Sequence, residues 1–510
     1  MPLIVRKLAE QLEKKFASSS ERSLLVRSAS VAESCRAFLF DKTGAETRII
    51  ALCRLDFSTG SDIFMVIFPE MTMPIATYFW QHTGLGISSR FAEQYLGFLA
   101  GIEHPSHPAS LAPKSLSALV KDTYQQDIPY KHILRQRIVS LITHSDSCVE
   151  HVGRKSSCIP LNEDDVFIYP TGMSAIWYAH QLLLNAIGTR ESVCFGFPYT
   201  DTLKILRKWG PGCHFYPDGD QTSIERLEAM LSSQRVETSE PPILALFTEF
   251  PSNPLLRSVN LPHLRALADE YGFLIVVDDT VGNFVNVDVL PFADIVVSSL
   301  TKIFSGCANV MGGSLTLNPC GKCYAVLKRE LQRTWEDVYF NEDARIMEHN
   351  SRSFCDRVAR IDYNAEVICD YLRGCADIIA EVYYPKWETR ELYDACRSRF
   401  TSGRTGGFGG LFSLSFSSPR AAHAFFDALD CAKGPSLGTN FTLACPYALF
   451  AHWEELDWAE RHGVSRDIVR VSTGIEDAGR LLDAFAVAVR AARKEHASSP
   501  GMKQIASTKL

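Results

Sequence analysis

A lysine set among hydroxyls, in the run Ser298, Ser299, Leu300, Thr301, Lys302, directly follows an apolar stretch, and 24 residues before it an acidic pair, Asp278 and Asp279, ends a similar stretch. A lysine amine drawn out of water gives up its proton more readily and becomes a nucleophile able to form a Schiff base with an aldehyde. A carboxylate at the end of a buried strand is costly unless a cation faces it, and a protonated ring nitrogen is such a cation. A third feature is Tyr169, Pro170, Thr171, Gly172, Met173, Ser174, where a strand gives way to a helix. The first N–H groups of that helix attract an anion such as a phosphate. Singly, a solvated lysine, a capped acidic turn and an ordinary strand-to-helix turn account for these features equally well. Together they fit one ligand that carries an aldehyde, a basic ring nitrogen and a phosphate: pyridoxal 5'-phosphate.

The elements that must position these groups follow from hydrophobic periodicity. Short apolar runs at 166–169, 192–195, 243–247, 274–277, 295–298 and 313–317 read as strands. Helices fit between them at 173–186, 201–209, 223–233 and 261–270. This alternation predicts a mostly parallel sheet covered by helices on both faces, with ligands at the carboxyl ends of the strands. A helical stretch over 341–376 leads to a smaller α/β unit with strands near 382–384, 410–416 and 468–472 and a final helix over 477–495. Ahead of the sheet, a helix at 2–16, strands at 48–55 and 62–68, and one helical stretch over 74–95 precede loops at 104–113 and 148–160. The chain is therefore divided into 1–150, an extension with no assigned task; 151–376, the ligand-binding domain; and 377–510, a smaller C-terminal domain.

Composition restricts the partners. The 510 residues are 46% hydrophobic and 22% charged, which suits a folded protein with ample core. Basic residues number 52 and acidic 59, interspersed, which argues against nucleic acid as a partner. No apolar run approaches the ~20 residues needed to cross a bilayer. Fifteen cysteines lack regular spacing, and the CxxC of Cys320 and Cys323 has no second pair nearby, so reduced thiols and no metal are expected. A cytoplasmic location is expected, although the terminal Thr508, Lys509, Leu510 stands one residue away from a peroxisomal address.

The stretch VVDDTVGNFVNVDVLPFADIVVSSLTKIFSGCANVMGGSLTLNP, supported by GPSLGTNFTLACPY and VRVSTGIED, resembles the pyridoxal-phosphate-dependent enzymes of Cys/Met metabolism, in particular the fungal cystathionine γ-synthase-like branch. The resemblance covers about 160–490 and implies a fold-type-I transferase: a seven-stranded, mostly parallel sheet in a three-layer αβα large domain, plus a smaller C-terminal α/β domain. It implies that Lys302 forms the covalent link to the cofactor and that Asp278 faces the pyridine nitrogen. Gly172 and Met173 would hold the phosphate by backbone N–H groups, and Ser299 and Thr301 by hydroxyls. Tyr199 of FGFPYTDT is similar to the tyrosine that stacks on the ring and takes part in proton transfer, and Asn253 of TEFPSNP to the asparagine near the phenolic oxygen. Arg470 resembles the clamp for the substrate α-carboxylate, with Ser436 beside it.

The sequence also departs from the family. The Tyr-x-Arg element that members usually give to the phosphate across a subunit interface is missing from DTYQQDIPYKHILRQRI, where Tyr124, Arg135 and Arg137 are the substitutes at hand. Cys307 stands where the branch usually carries an acid. The resemblance implies a γ-replacement on an O-acyl-L-homoserine, with cysteine as nucleophile and cystathionine as product. A carbon or nitrogen nucleophile in a specialised fungal pathway is the alternative, and a cystathionine lyase the third. Small amino acids are the expected substrates, and a homodimer or homotetramer the expected assembly.

Overall fold

The computed structural model describes residues 1–52, 63–103, 130–143, 160–235, 240–400 and 403–497. The loops expected at 104–113 and most of 148–160, the terminal Thr508 to Leu510 and Tyr124 lie outside them. At the centre is a seven-stranded sheet in the order β4-β10-β9-β8-β7-β5-β6. Its strands are β4 (Val166–Tyr169), β5 (Ser192–Phe195), β6 (Cys213–Tyr216), β7 (Ala245–Glu249), β8 (Leu274–Asp278), β9 (Ile295–Ser298) and β10 (Gly313–Leu317). All pairings are parallel except those of β10, which runs antiparallel to both β4 and β9.

Both faces of this sheet are dry. Ile275 and Val277 join the core on one side with Leu134, Ile138 and Leu264 from flanking helices. Leu274 and Val276 join the core on the other with Ile176, Leu183 and Leu206. Successive strand residues point to opposite faces, so an unbroken apolar run is what a strand buried on both sides requires.

The smaller C-terminal sheet has the order β11-β12-β15-β14-β13, from β11 (Ile379–Tyr383), β12 (Leu411–Phe416), β13 (Ala432–Lys433), β14 (Leu443–Pro446) and β15 (Val469–Ser472). Helices Pro419–Ala428 and Ala478–Ala497 cover it, with Phe425 and Phe485 in the shared core. An N-terminal three-stranded antiparallel sheet, β1-β3-β2, is built from β1 (Glu21–Val26), β2 (Arg48–Leu52) and β3 (Ile63–Pro69). It does not stand apart. Leu24, Val31, Phe68 and Phe79 share one apolar core with Tyr169, Ile176 and Trp177, and Phe38 stacks on Trp209 at 4.5 Å.

Several boundaries correct the sequence reading. The stretch expected as one helix over 74–95 is two, Met73–Thr83 and Ser89–Glu103, because Gly84 takes the left-handed conformation (φ 63°) that ends the first. The stretch over 341–376 likewise divides into Asn341–Ser351 and Phe354–Arg373. Strands β1, β6, β13 and β14 were not expected. β6 is an edge strand of mostly half-exposed residues, and β14 ends in proline, so neither presents a long apolar run.

Candidate active site

Parallel strands deliver their last residues to one edge of the sheet, and here Tyr169, Glu249, Asp278 and Ser298 end β4, β7, β8 and β9. Above that edge lies a cavity of about 470 Å³. Gly172, Met173, Tyr199, Asn253, Asp278, Ser299, Thr301, Lys302 and Arg470 all line it. Ser436 joins them through a hydrogen bond that the Lys302 Nζ donates to its Oγ at 3.1 Å. Every site residue singled out in the sequence thus converges on one place.

At one end the helix Gly172–Ala186 begins. Thr171 caps it by accepting from the Ser174 N–H, while the Ser174 hydroxyl accepts from the Thr171 N–H. The N–H groups of Gly172 and Met173 precede the first intrahelical bond, made by Ala175 to the Thr171 carbonyl, so they are available to a ligand. Glycine is required at 172 because a Cβ there would lie 2.7 Å from that of Ser299. The Ser299 N–H donates to the Thr280 hydroxyl at 2.8 Å, which fixes the backbone bearing the Ser299 side chain. The Thr301 hydroxyl both donates to the Gly312 carbonyl (3.2 Å) and accepts from the Gly312 N–H (3.1 Å), holding the lysine loop against the start of β10.

Below this cradle sits Asp278, whose Oδ1 accepts from the Thr280 N–H at 2.9 Å. Burial pushes its carboxyl above the usual range. Glu249, which sequence reasoning passed over, lies beside it in register on β7. Burial, with Asp278 second, pushes Glu249 up to about 8. It accepts from the N–H groups of Tyr199 and Asn253. The signal was present: TEFPSNP puts an acid at the end of a buried strand, just as VVDD does.

Opposite the acids, burial, with the Arg470 charge second, draws the Lys302 amine down from 10.5 to about 8. Gly438 (φ 72°) lets its own loop approach, since a Cβ there would come within 2.9 Å of the Lys302 carbonyl carbon. Arg470 is buried on β15 and joins the two large units. Its Nη1 donates to the Asn253 Oδ1 at 3.0 Å, and its Nη2 to the carbonyls of Pro435 (2.5 Å) and Ser436 (2.9 Å). The guanidinium lies over the Tyr447 ring at 4.8 Å. Tyr199 keeps 43% of its surface exposed at the cavity mouth, its hydroxyl 3.5 Å from Asp201.

Of the substitutes for the missing Tyr-x-Arg element, Arg135 and Arg137 are described, and they are placed elsewhere. Arg137 is bound to the side chains of Glu348 and Ser351, and neither it nor Arg135 lines the cavity. Cys307 accepts from the Asn440 side chain at 3.3 Å, and nearby Arg357 is satisfied by the carbonyls of Ile303, Phe304 and Asn350. The N-terminal unit also contributes to the site: Arg27, Trp80, Gly84, Ile87 and Ser88 line the same cavity. No motif in the sequence signalled that contribution.

The residues fit pyridoxal phosphate. Helix-opening N–H groups and the close approach of Gly172 to Ser299 form a cradle for a phosphate, and the half-buried acid Asp278 and an amine of depressed basicity line the same space.

Comparison with known proteins agrees with this geometry. Residues 161–490 match the Cys/Met metabolism PLP-dependent enzyme family, and residues 4–88 match the N-terminal domain of fungal trans-sulfuration enzymes. The chain is 45% identical to the cystathionine γ-synthase-like enzyme iboG1 of Amanita muscaria, over 97% of this chain and 91% of that one. It is 38% identical to the cystathionine γ-synthase of Neurospora crassa, over 85% and 78%. A crystal structure of cystathionine γ-synthase from Xanthomonas oryzae pv. oryzae with bound cystathionine superposes with a TM-score of 0.54 at 25% identity, over 65% of this chain and 82% of that one. Sheet, site and similarity agree: this chain belongs to the Cys/Met metabolism family of PLP-dependent enzymes, and pyridoxal phosphate is its cofactor.

Proposed function

We propose that the protein catalyses γ-replacement on an O-acyl-L-homoserine, with cysteine as the nucleophile and cystathionine as the product. The observation that carries this reading is the double role of Ser436, whose hydroxyl accepts from Lys302 while its carbonyl accepts from Arg470. One short segment thus sets the distance between a proton-transferring amine and the carboxylate clamp, so an amino acid held by Arg470 presents its Cα–H toward Lys302. When bound, the cofactor accepts the electron pair released at Cα, which makes the protons at Cα and then Cβ removable. Asp278 keeps the ring nitrogen protonated. Lys302 would take the Cα proton, pass it on to the cofactor's C4′ carbon and, as a neutral amine again, take a Cβ proton, and departure of the acyloxy group as the free carboxylate would open Cγ to attack. Tyr199, at the mouth of the cavity, is placed to assist proton transfer.

The relatives named cystathionine γ-synthase support this substrate class. The second reading, capture of the same γ-electrophile by a carbon or nitrogen nucleophile, is supported by the absent Tyr-x-Arg element and by Cys307 in place of an acid. The test is product mass spectrometry after incubating the holoenzyme with O-acetyl-L-homoserine and a mixture of cysteine, amines and β-keto acids. Cystathionine as the main product is expected. A carbon or nitrogen adduct selects the second reading, and turnover of cystathionine alone indicates a lyase. A homodimer or homotetramer is proposed, checked by light scattering.

A further inference from the structure

A phosphate dianion buried in a cavity needs positive charge, and among the described residues that cavity is lined by three cationic side chains: Arg27, Lys302 and Arg470. Two are committed away from the cradle. Lys302 donates to Ser436, and Arg470 holds Asn253 and two carbonyls of the C-terminal unit. Arg27 lines the same cavity from the N-terminal unit.

Its placement follows a short path from the cradle. The capping Thr171 hydroxyl donates to the Gly84 carbonyl at 3.3 Å, so the turn after helix Met73–Thr83 is pressed on the helix end that offers the Gly172 and Met173 N–H groups. Gly84 leaves no room for a side chain there: a Cβ would come within 3.1 Å of the Ser174 nitrogen. Two residues on, Gly86 forms an antiparallel bridge with Val26, and the Ile87 N–H donates to the Leu25 carbonyl at 3.3 Å. Arg27 is the next residue of that bridged segment. Its guanidinium carbon lies 4.5 Å from the Phe91 ring and 5.5 Å from that of Phe340, which fixes its direction. Asp343, which lines the same cavity and pairs with Arg90, is also acted on by the Arg27 charge.

We propose that Arg27 supplies the positive charge facing the cofactor phosphate, so that the N-terminal unit completes the cofactor site within the same chain. This rests on the family's cofactor and is independent of which substrate is used. An arginine from the partner subunit is then unnecessary, consistent with the missing Tyr-x-Arg element.

The test compares binding of pyridoxal 5'-phosphate with that of pyridoxal, which lacks the phosphate, to full-length protein stripped of cofactor, followed by absorbance. For Arg27→Met the expected result is a 10- to 100-fold loss of affinity for the phosphorylated form with pyridoxal unchanged within twofold, and for Arg27→Lys an intermediate loss. Unchanged affinity for the phosphorylated form, or equal loss for both, overturns the proposal. If Arg27→Met does not fold, the decision falls to inorganic phosphate competing with pyridoxal 5'-phosphate. Weaker competition on Arg27→Lys than on the unaltered protein supports the proposal, and equal competition overturns it.

Discussion

Glu249 and Asp278 close adjacent parallel strands in register, so a buried and a half-buried carboxyl group lie side by side at the cavity. Two like charges in a dry site cannot both ionise freely, and the pair holds a proton at neutral pH. On the folded chain Glu249 titrates near 8 instead of 4.5. Between those values the unfolded chain has released its proton while the folded chain keeps it, so stability is greatest below the lower value and falls as pH rises through the window. Removing this group in Glu249→Gln should flatten the fall, by up to ~1.4 kcal/mol per pH unit. Asp279 and Asp362, raised to about 8 and about 7, titrate in both proteins and cancel in the comparison. Urea unfolding of the cofactor-free protein across this range checks it; an equally steep fall in the variant refutes the shared proton.

Lys302 has the opposite sign. Its charged form is disfavoured by burial and by Arg470, so the neutral amine dominates above about 8 instead of 10.5. The rate at which cofactor-free protein recombines with pyridoxal phosphate should therefore rise about tenfold per pH unit and level off near 8. Arg470→Met, which removes the second cause, should move that midpoint upward. Stopped-flow absorbance gives both values, and a midpoint near that of free lysine contradicts the environment described.

How much of this was legible in the sequence depends on burial. Strands β8 and β9 were readable because both faces are covered, making their residues continuously apolar, and each ends abruptly in the polar residues that serve the site. β6 escaped because an edge strand carrying His214 resembles a loop. Asp278 and Glu249 both end buried strands, but only Asp278 is marked by a doubled acid, whereas the single Glu249 is followed at once by Phe250 and Pro251. Arg27 was invisible: its relation to Gly172 depends on a bridge between Val26 and Gly86, and no local pattern encodes a pairing across 60 residues.

Gly172 tests the cradle. Alanine there would put its Cβ 2.7 Å from that of Ser299, and relieving the overlap must move either the helix start or the lysine loop. Overpacking of this kind costs about 1–3 kcal/mol. Gly172→Ala should therefore bind pyridoxal phosphate roughly 10- to 100-fold more weakly, while Gly97→Ala, on an open helix surface, should bind normally. Equilibrium dialysis distinguishes them, and equal affinity for the two variants means that the 172–299 contact does not shape the cofactor site.

Arg470 offers a sharper test of substrate orientation, because its planar fork satisfies Asn253 with one nitrogen and the Pro435 and Ser436 carbonyls with the other. A lysine has one ammonium and cannot span these partners while also gripping a carboxylate. Losing a two-pronged, charge-assisted contact costs about 2–3 kcal/mol, so Arg470→Lys should raise KM for the amino-acid substrate roughly 30- to 150-fold. Misorientation of the Cα–H bond should also lower kcat. Discrimination is the decisive measurement: the unaltered enzyme should prefer O-acetyl-L-homoserine strongly over its carboxamide, and the variant should treat the two nearly alike. If the variant kept the preference, another residue would hold the carboxylate, and the geometric link from Arg470 through Ser436 to Lys302 would lose its catalytic meaning.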